Sequence, residues 1–185
     1  MELIIENAPD KEAQYQAAFK EIVRELWIAR FPNKVILRFY NKAPNPAENV
    51  LRMLFGIEPG ELNDDSYNGN ARGSTSTALG PNGEIMMTLN ESMSGCGKCD
   101  KCLSAPTPLA VFCHEMVHVS QMLQGRLRQT RQGVVYNGRL VNGQEARYEN
   151  APWEQEADEV GSRIYNSVVK RYDREIKVQS GAHAQ

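Results

Sequence analysis

The segment His114–His118 constrains this chain more than any other, because it places two histidines four residues apart with Glu115 directly after the first. Thr107 and Pro108 precede it in positions typical of a helix start, and Gly125 follows where a helix end often carries glycine. In a helix, residues four apart lie on one face, about one turn from each other. The spacing therefore predicts that both imidazoles can bind one metal ion, with Glu115 beside it.

A helical wheel separates these histidines from the apolar core. The apolar residues that share one stripe of this helix are Phe112, Met116, Val119 and Leu123. Measured from the first of them at about 100° per residue, His114 and His118 lie at about 200° and 240°, and Glu115 lies at about 300°. The wheel therefore predicts that the two histidines face a common cleft, and that Glu115 lies between that cleft and the core.

Zinc at a catalytic site takes three protein ligands and leaves a position for water, so a third ligand is needed. The last predicted helix begins with acidic residues, of which Glu154 and Asp158 lie four apart on one flank of its apolar stripe. We predict that Glu154 is the third ligand and that Asp158 accepts the free N–H of a ligating histidine. Glu156 on the other flank is the alternative ligand, and Glu159 points to solvent. The helix dipole alone also favours acidic residues here, so the assignment depends on the histidine pair.

The combination of H-E-M-V-H with E-x-x-A-D on a later helix resembles the gluzincin metallopeptidases, and it is similar to short zincin-like proteins of bacteria and phages. The resemblance covers roughly residues 84–170. It implies a zincin-like α+β fold in which His114, His118 and Glu154 bind zinc and Glu115 is the general base. The further histidine that metzincins carry after this motif is absent.

The same resemblance implies a zinc-dependent peptidase. Zinc lowers the pKa of its bound water toward about 7, and Glu115 takes the proton as the hydroxide attacks a peptide carbonyl. Tyr148 is the candidate donor to the transition state, with Tyr136 and Arg147 as alternatives. The resemblance also implies that the strand at 84–89 edges the cleft and pairs with an extended substrate. The alternative function is a catalytically silent zinc-binding module for protein interaction, and the presence of a base at position 115 favours the enzyme.

The cysteines form a separate question, because all of them lie between residues 96 and 113. Cys96, Cys99 and Cys102 have the spacing C-x-x-C-x-x-C, and Cys113 follows on the histidine helix. One hypothesis is a second, structural zinc ion held by all of them. Disulfides, free thiols and an iron–sulfur cluster are the alternatives. Cys113 lies at about 100° on the wheel, which argues against a role as ligand of the catalytic zinc.

Composition limits the partners that this chain can have. It has 185 residues and a formal net charge of -2, without a basic stripe, which argues against nucleic acid and against a membrane surface. Arg126, Arg128 and Arg131 leave a nucleic-acid-associated zinc protein as a third hypothesis, but such a connection is typical of a solvated loop. No apolar run can cross a bilayer, and the N-terminus lacks the basic start of a signal peptide, so we expect a cytoplasmic protein. A peptide or protein substrate is the expected partner, and the sequence does not indicate an oligomeric state.

Hydrophobic periodicity predicts one α+β domain over residues 1–178, in which a small, mostly antiparallel sheet packs on the histidine helix and a C-terminal helix. We expect a cysteine-rich loop insertion at 94–105 and a disordered tail at 179–185. Asp10 is a candidate cap for the first helix, and Pro32 is expected to end it. The predicted helices are 11–30, 47–57, 109–124 and 153–172, and the predicted strands are 35–40, 74–79, 84–89, 133–136 and 139–141. A turn at Pro81-Asn82-Gly83 predicts a hairpin of the strands 74–79 and 84–89, and Asn137-Gly138 predicts a hairpin of the last two strands.

Overall fold

The computed structural model describes residues 1–6, 12–40, 73–75, 83–90, 107–141, 145 and 150–172. The strands are β1 (Glu2–Glu6), β2 (Lys34–Tyr40), β3 (Gly73–Thr75), β4 (Glu84–Asn90), β5 (Leu127–Thr130), β6 (Gly133–Tyr136) and β7 (Arg139–Val141). The helices are α1 (Glu12–Glu25), α2 (Pro108–Leu123) and α3 (Pro152–Ile164), and α3 continues into a π-helical segment at Tyr165–Val169. Helices and two small sheets in one chain agree with the predicted α+β class.

The larger sheet has the strand order β1-β2-β4-β3. β1 and β4 both pair with β2 in parallel, and only the β3–β4 pairing is antiparallel. The expectation of a mostly antiparallel sheet is therefore wrong for this sheet. The prediction did not include β1, which is joined to β2 through α1 in a βαβ crossover, and such a crossover makes the two strands parallel.

The second sheet is an antiparallel meander of β5, β6 and β7. Its β6–β7 hairpin was predicted from Asn137-Gly138, and both residues have the positive φ that a tight hairpin turn requires, at 48° and 81°. β5 was interpreted as part of a solvated loop, and this interpretation is wrong. Its arginine and glutamine side chains have low strand propensity, but its backbone pairs with β6 from Leu127 to Thr130, and pairing overrides propensity.

One face of the larger sheet carries the hydrophobic core. Alternate residues of its strands are buried there: Leu3, Val35, Leu37, Phe39, Ile85, Met87 and Leu89. Tyr15 of α1 packs edge-to-face on Phe39 of β2 and on Phe112 of α2, with ring centroids 5.1 and 5.3 Å apart. These aromatic contacts join both helices to the sheet and hold α2 against it.

The first helix ends earlier than predicted. α1 stops at Glu25, well before Pro32, and Trp27 follows it in the left-handed conformation with φ 58°. The N–H of Ile28 donates to the carbonyl of Val23, and the N–H of Trp27 donates to that of Arg24, which is a Schellman closure. This closure usually carries glycine, so a tryptophan gave no signal for it.

The third helix covers α2 on the side away from the sheet. Gly161 of α3 lies so close to α2 that a Cβ added there would be 2.9 Å from His114 Cα. Ala157 and Ile164, on the same side of α3, are fully buried. In the predicted apolar stripe of α2, Phe112, Met116 and Val119 are fully buried and Leu123 is partly buried. α3 packs on the other face of α2.

Several predictions lie outside the described residues: the Asp10 cap, the helix at 47–57, the turn before Gly83, the cysteine-rich loop at 94–105 and the tail at 179–185. Antiparallel pairing between the predicted strands 74–79 and 84–89 is present where the structure describes it, with Thr75 opposite Met87. None of the helices among the described residues is both long and apolar enough to cross a membrane.

Candidate metal centre

Local sequence fixes the helix that carries the histidines. Thr107 Oγ1 accepts a hydrogen bond from the Ala110 N–H at 3.2 Å, and Pro108 occupies the first turn. At the other end Gly125 has φ 70°, and its N–H donates to the Met122 carbonyl. Both ends confirm the predicted helix and its caps. The helix therefore places the two histidines in fixed positions one turn apart.

The side chains of His114 and His118 meet on α2, and Glu154 reaches them from α3. The Nε2 atoms of the two histidines are 3.1 Å apart. Glu154 Oε2 lies 3.3 Å from each of them. The side chains of His114, His118 and Glu154 are 17%, 12% and 15% exposed, so the group is mostly buried but keeps some access to solvent. The structure brings together the three residues that the sequence predicted as ligands, and these three can hold a metal ion.

The distances within this group fit the geometry of a tetrahedral metal. With bonds of about 2.0–2.2 Å and tetrahedral angles, two ligand atoms are separated by about 3.3–3.6 Å. The three observed separations lie at or just below that range. Glu154 Oε2 is buried, and none of the described residues donates a hydrogen bond to it by strict geometry. A cation among these atoms would satisfy that oxygen, so the residues fit a metal site.

The charges in this group favour an ionised carboxylate. Burial opposes ionisation of Glu154, but the two adjacent imidazoles outweigh that effect and lower its pKa to about 2. Burial also opposes protonation of His118, but contact with Glu154 and the charge of Glu115 outweigh it and raise the His118 pKa. Both shifts describe a site that attracts a positive charge.

Asp158 contacts His114 in the way that the sequence predicted. Its Oδ1 lies 3.0 Å from His114 Nδ1. A carboxylate can only accept a hydrogen bond, so Nδ1 of His114 carries the proton when the ring is neutral. That leaves the lone pair on His114 Nε2, which is the atom that faces His118 and Glu154.

Glu115 is more deeply buried than a residue at the border of an open cleft, with 5% of its surface exposed. Its Oε2 accepts a hydrogen bond from Thr75 Oγ1 at 2.7 Å. Burial raises the pKa of Glu115, which the nearby histidines and Thr75 only partly offset. The sequence did not indicate Thr75, because it precedes Glu115 by 40 residues and belongs to a segment without a motif.

The strand beside Glu115 is β3, not the one expected. β4 was expected to edge the cleft, but it lies between β2 and β3 inside the sheet, so this expectation is wrong. Among the described strands β3 forms the edge of the sheet beyond β4, and it contacts α2 through Thr75. The partner β3 was predicted within the strand at 74–79, but its place at the sheet edge beside Glu115 was not.

Glu156, the alternative ligand, belongs to a different cluster. Its Oε2 accepts hydrogen bonds from Arg126 Nη1 at 2.7 Å and from the Tyr136 hydroxyl. Burial opposes ionisation of Glu156, but these donors lower its pKa. Burial and the Glu156 charge raise the pKa of Tyr136 to about 12. The Tyr136 hydroxyl therefore donates to Glu156 and not toward the histidine group, where a transition-state donor would have to point. Glu159 is exposed, as expected.

The remaining predicted residues are separate from the histidine group or outside the described residues. Cys113 is fully buried in the core and does not belong to the histidine group, as its wheel position away from both histidines predicted. Cys96, Cys99, Cys102, Tyr148 and Arg147 lie outside the described part of the chain. The second zinc site and the role of Tyr148 therefore stay predictions.

No protein-family model, curated protein or solved structure matches this chain. The function of the metal centre is therefore inferred from its own chemistry.

Proposed function

We propose that His114, His118 and Glu154 bind a zinc ion and that the protein is a zinc-dependent peptidase of the gluzincin type. The observation that carries this proposal is the convergence of two imidazole nitrogens and one buried carboxylate oxygen within 3.1–3.3 Å of one another. Two nitrogens and one oxygen are a donor set of catalytic zinc sites, which keep a fourth position for water.

A bound zinc ion would supply a Lewis acid that acidifies water and polarises a carbonyl. Glu115 follows His114 directly and is buried next to the group, where it can take a proton from that water. Its raised pKa suits this role, because a base with a pKa closer to neutral also returns the proton to the leaving amine. Asp158 holds His114 in the orientation that ligation requires.

A catalytically silent zinc-binding interaction module is the second candidate. It is favoured by the burial of Glu115 and by its hydrogen bond to Thr75, because a carboxylate held in this way can serve to pack α2 against β3. The two functions share the metal ligands and differ only in what Glu115 does. A substitution at Glu115 alone therefore distinguishes the two candidate functions.

The test measures zinc content and cleavage of an unfolded protein and a broad peptide library. We expect about one zinc ion per chain from this site, with His118→Ala losing it. Glu115→Gln should keep the zinc and lose about 10²–10⁴ in cleavage rate, which is the usual contribution of a general base. Glu159→Gln, on the exposed side of α3, is the matched control and should cleave like the wild type.

Three results would overturn the proposal. Absence of zinc from a folded wild type removes the metal site. Zinc binding without cleavage of any library peptide leaves the interaction module. Cleavage that survives Glu115→Gln unchanged assigns the base to another residue.

A further inference from the structure

Gln121 is a buried polar residue that the ligand set does not explain. It lies on α2 one turn after His118, and none of its surface is exposed. Its Oε1 is 2.9 Å from His118 Nδ1. Its Nε2 donates to the Trp153 carbonyl at 2.9 Å and to Glu156 Oε2 at 3.3 Å. The amide thus connects a predicted ligand on α2 with the first turn of α3.

The neighbours of Gln121 leave its amide one orientation. A backbone carbonyl only accepts hydrogen bonds, and so does an ionised carboxylate. Arg126 and Tyr136 both donate to Oε2 of Glu156, so this oxygen is an acceptor. The NH₂ group of Gln121 must therefore face Trp153 and Glu156, because a carbonyl oxygen placed there would meet two acceptors. The Oε1 atom is then left facing His118.

We infer that Gln121 is a positioning residue, which holds His118 with its proton on Nδ1 and its Nε2 lone pair directed at the metal. Since Oε1 can only accept, Nδ1 of His118 must donate. The neutral ring then has its free lone pair on Nε2, 3.1 Å from His114 Nε2 and 3.3 Å from Glu154 Oε2. Gln121 does for His118 what Asp158 does for His114. The inference rests on the proposed metal site and not on peptide cleavage.

The second sheet also takes part in orienting Gln121. Arg126 lies just after α2 and Tyr136 lies on β6, and both contact the same oxygen of Glu156. They hold the acceptor that orients Gln121, so the sheet contributes to the tautomer of His118 through Glu156 and Gln121. This arrangement explains why Glu156, although acidic and only two residues after Glu154, is not in the ligand group.

The test reads the tautomer of His118 directly. The chain has three histidines, so ring nitrogen signals of metal-free protein labelled with ¹⁵N-histidine can be assigned by substitution. At a pH where the ring is neutral, we expect His118 to carry its proton on Nδ1 in the wild type. Gln121→Met, of similar volume, should give a mixture of both tautomers and weaken zinc binding about 10–100-fold.

Gln16→Met is the matched control. Gln16 Nε2 also donates to a backbone carbonyl, that of Leu3 at 2.8 Å, but it lies on α1 away from the histidines. We expect this variant to lose stability without a change in tautomer or zinc affinity.

A proton on Nε2 of His118 in the wild type would overturn the inference, even if Gln121→Met does not fold. Unchanged zinc affinity in a folded Gln121→Met would overturn it as well. If the wild type binds zinc but cleaves no peptide, only the proposed peptidase function is refuted. If the wild type binds no zinc, the metal site is refuted, and the tautomer of His118 can still be measured.

Discussion

Replacement of Gly161 by alanine tests whether the contact between α3 and α2 sets the geometry of the metal centre. A Cβ at this position would lie 2.9 Å from His114 Cα and 3.0 Å from His114 N. Carbon atoms in favourable contact are about 3.5–4.0 Å apart, so the two helices must separate by roughly 0.6–1 Å. The contact is with backbone, which cannot rotate away as a side chain could.

The expected cost has two parts of opposite sign. Overpacking costs about 1–3 kcal/mol, and alanine in place of glycine inside a helix returns about 1 kcal/mol. The net loss of folding free energy is therefore about 0–2 kcal/mol, or a fall in Tm of up to about 8 °C for a chain of this size. Metal sites tolerate displacements of only about 0.2 Å, and α3 carries both Glu154 and Asp158. We therefore expect zinc affinity to fall about 10–100-fold, as when an orienting partner is lost.

Zinc affinity is measured by competition with a chromophoric chelator, and stability by thermal denaturation of the metal-free protein. Ser162→Ala is the matched control, because this neighbouring residue of α3 is exposed and its substitution should leave zinc affinity unchanged. A Gly161→Ala protein that binds zinc within about twofold of the wild type would show that the separation of the helices does not control the site. The reasoning from the 2.9 Å contact would then be refuted.

Four further predictions concern protons. Because the pKa of His118 is raised, protons compete with zinc for this residue at higher pH than at an ordinary histidine. Zinc affinity should therefore fall about tenfold per pH unit below that pKa. Chelator competition over a series of pH values checks this, and an affinity that does not change with pH would contradict it. The stability of the metal-free protein should change with pH in the opposite direction to zinc affinity. Protonated His118 stabilises the fold fully below pH 6.5, and this contribution is lost as pH rises through the folded pKa of His118. Tyr136 should titrate at about 12 rather than 10, with its stabilising effect present below pH 10 and lost toward pH 12. Ultraviolet titration should show a late tyrosine signal that Tyr136→Phe removes, and loss of the Glu156 carboxylate in Glu156→Gln should lower that pKa. Thr75→Val removes the hydroxyl that donates to Glu115, so the Glu115 pKa should rise. The acid limb of the pH profile of kcat/KM should then move to higher pH, with zinc affinity unchanged. If the acid limb does not move, this hydrogen bond does not act on the base.

The features that could be predicted are those whose causes are local in the chain. The helix from Pro108 to Leu123 is set by a cap at its start and a glycine after its end, and both signals are adjacent to it. His114 and His118 share a face because they are four residues apart in that helix. Glu154 was found differently: zinc chemistry requires a third ligand, and its helix offered two carboxylates at a suitable spacing.

The features that were missed depend on contacts between distant segments. β5 is a strand because β6 pairs with it, and its own residues do not favour one. Thr75 reaches Glu115 across 40 residues of sequence. The wheel showed that the histidines leave the core, but not that α3 would cover them through Gly161. An amide such as Gln121 has no sequence signature, since its role depends on which acceptors surround it.

The two tryptophans of this chain stand in very different environments. Trp27 is 84% exposed at the end of α1, so its indole fluoresces in water whatever the metal centre does. Trp153 is half-buried, directly precedes Glu154, and lies with its ring 6.2 Å from that of Tyr136. Its emission is therefore sensitive to movement in the first turn of α3. The Trp27→Phe variant would leave a single indole beside the ligands, so the protein can report the loading of its own metal centre optically without an attached dye.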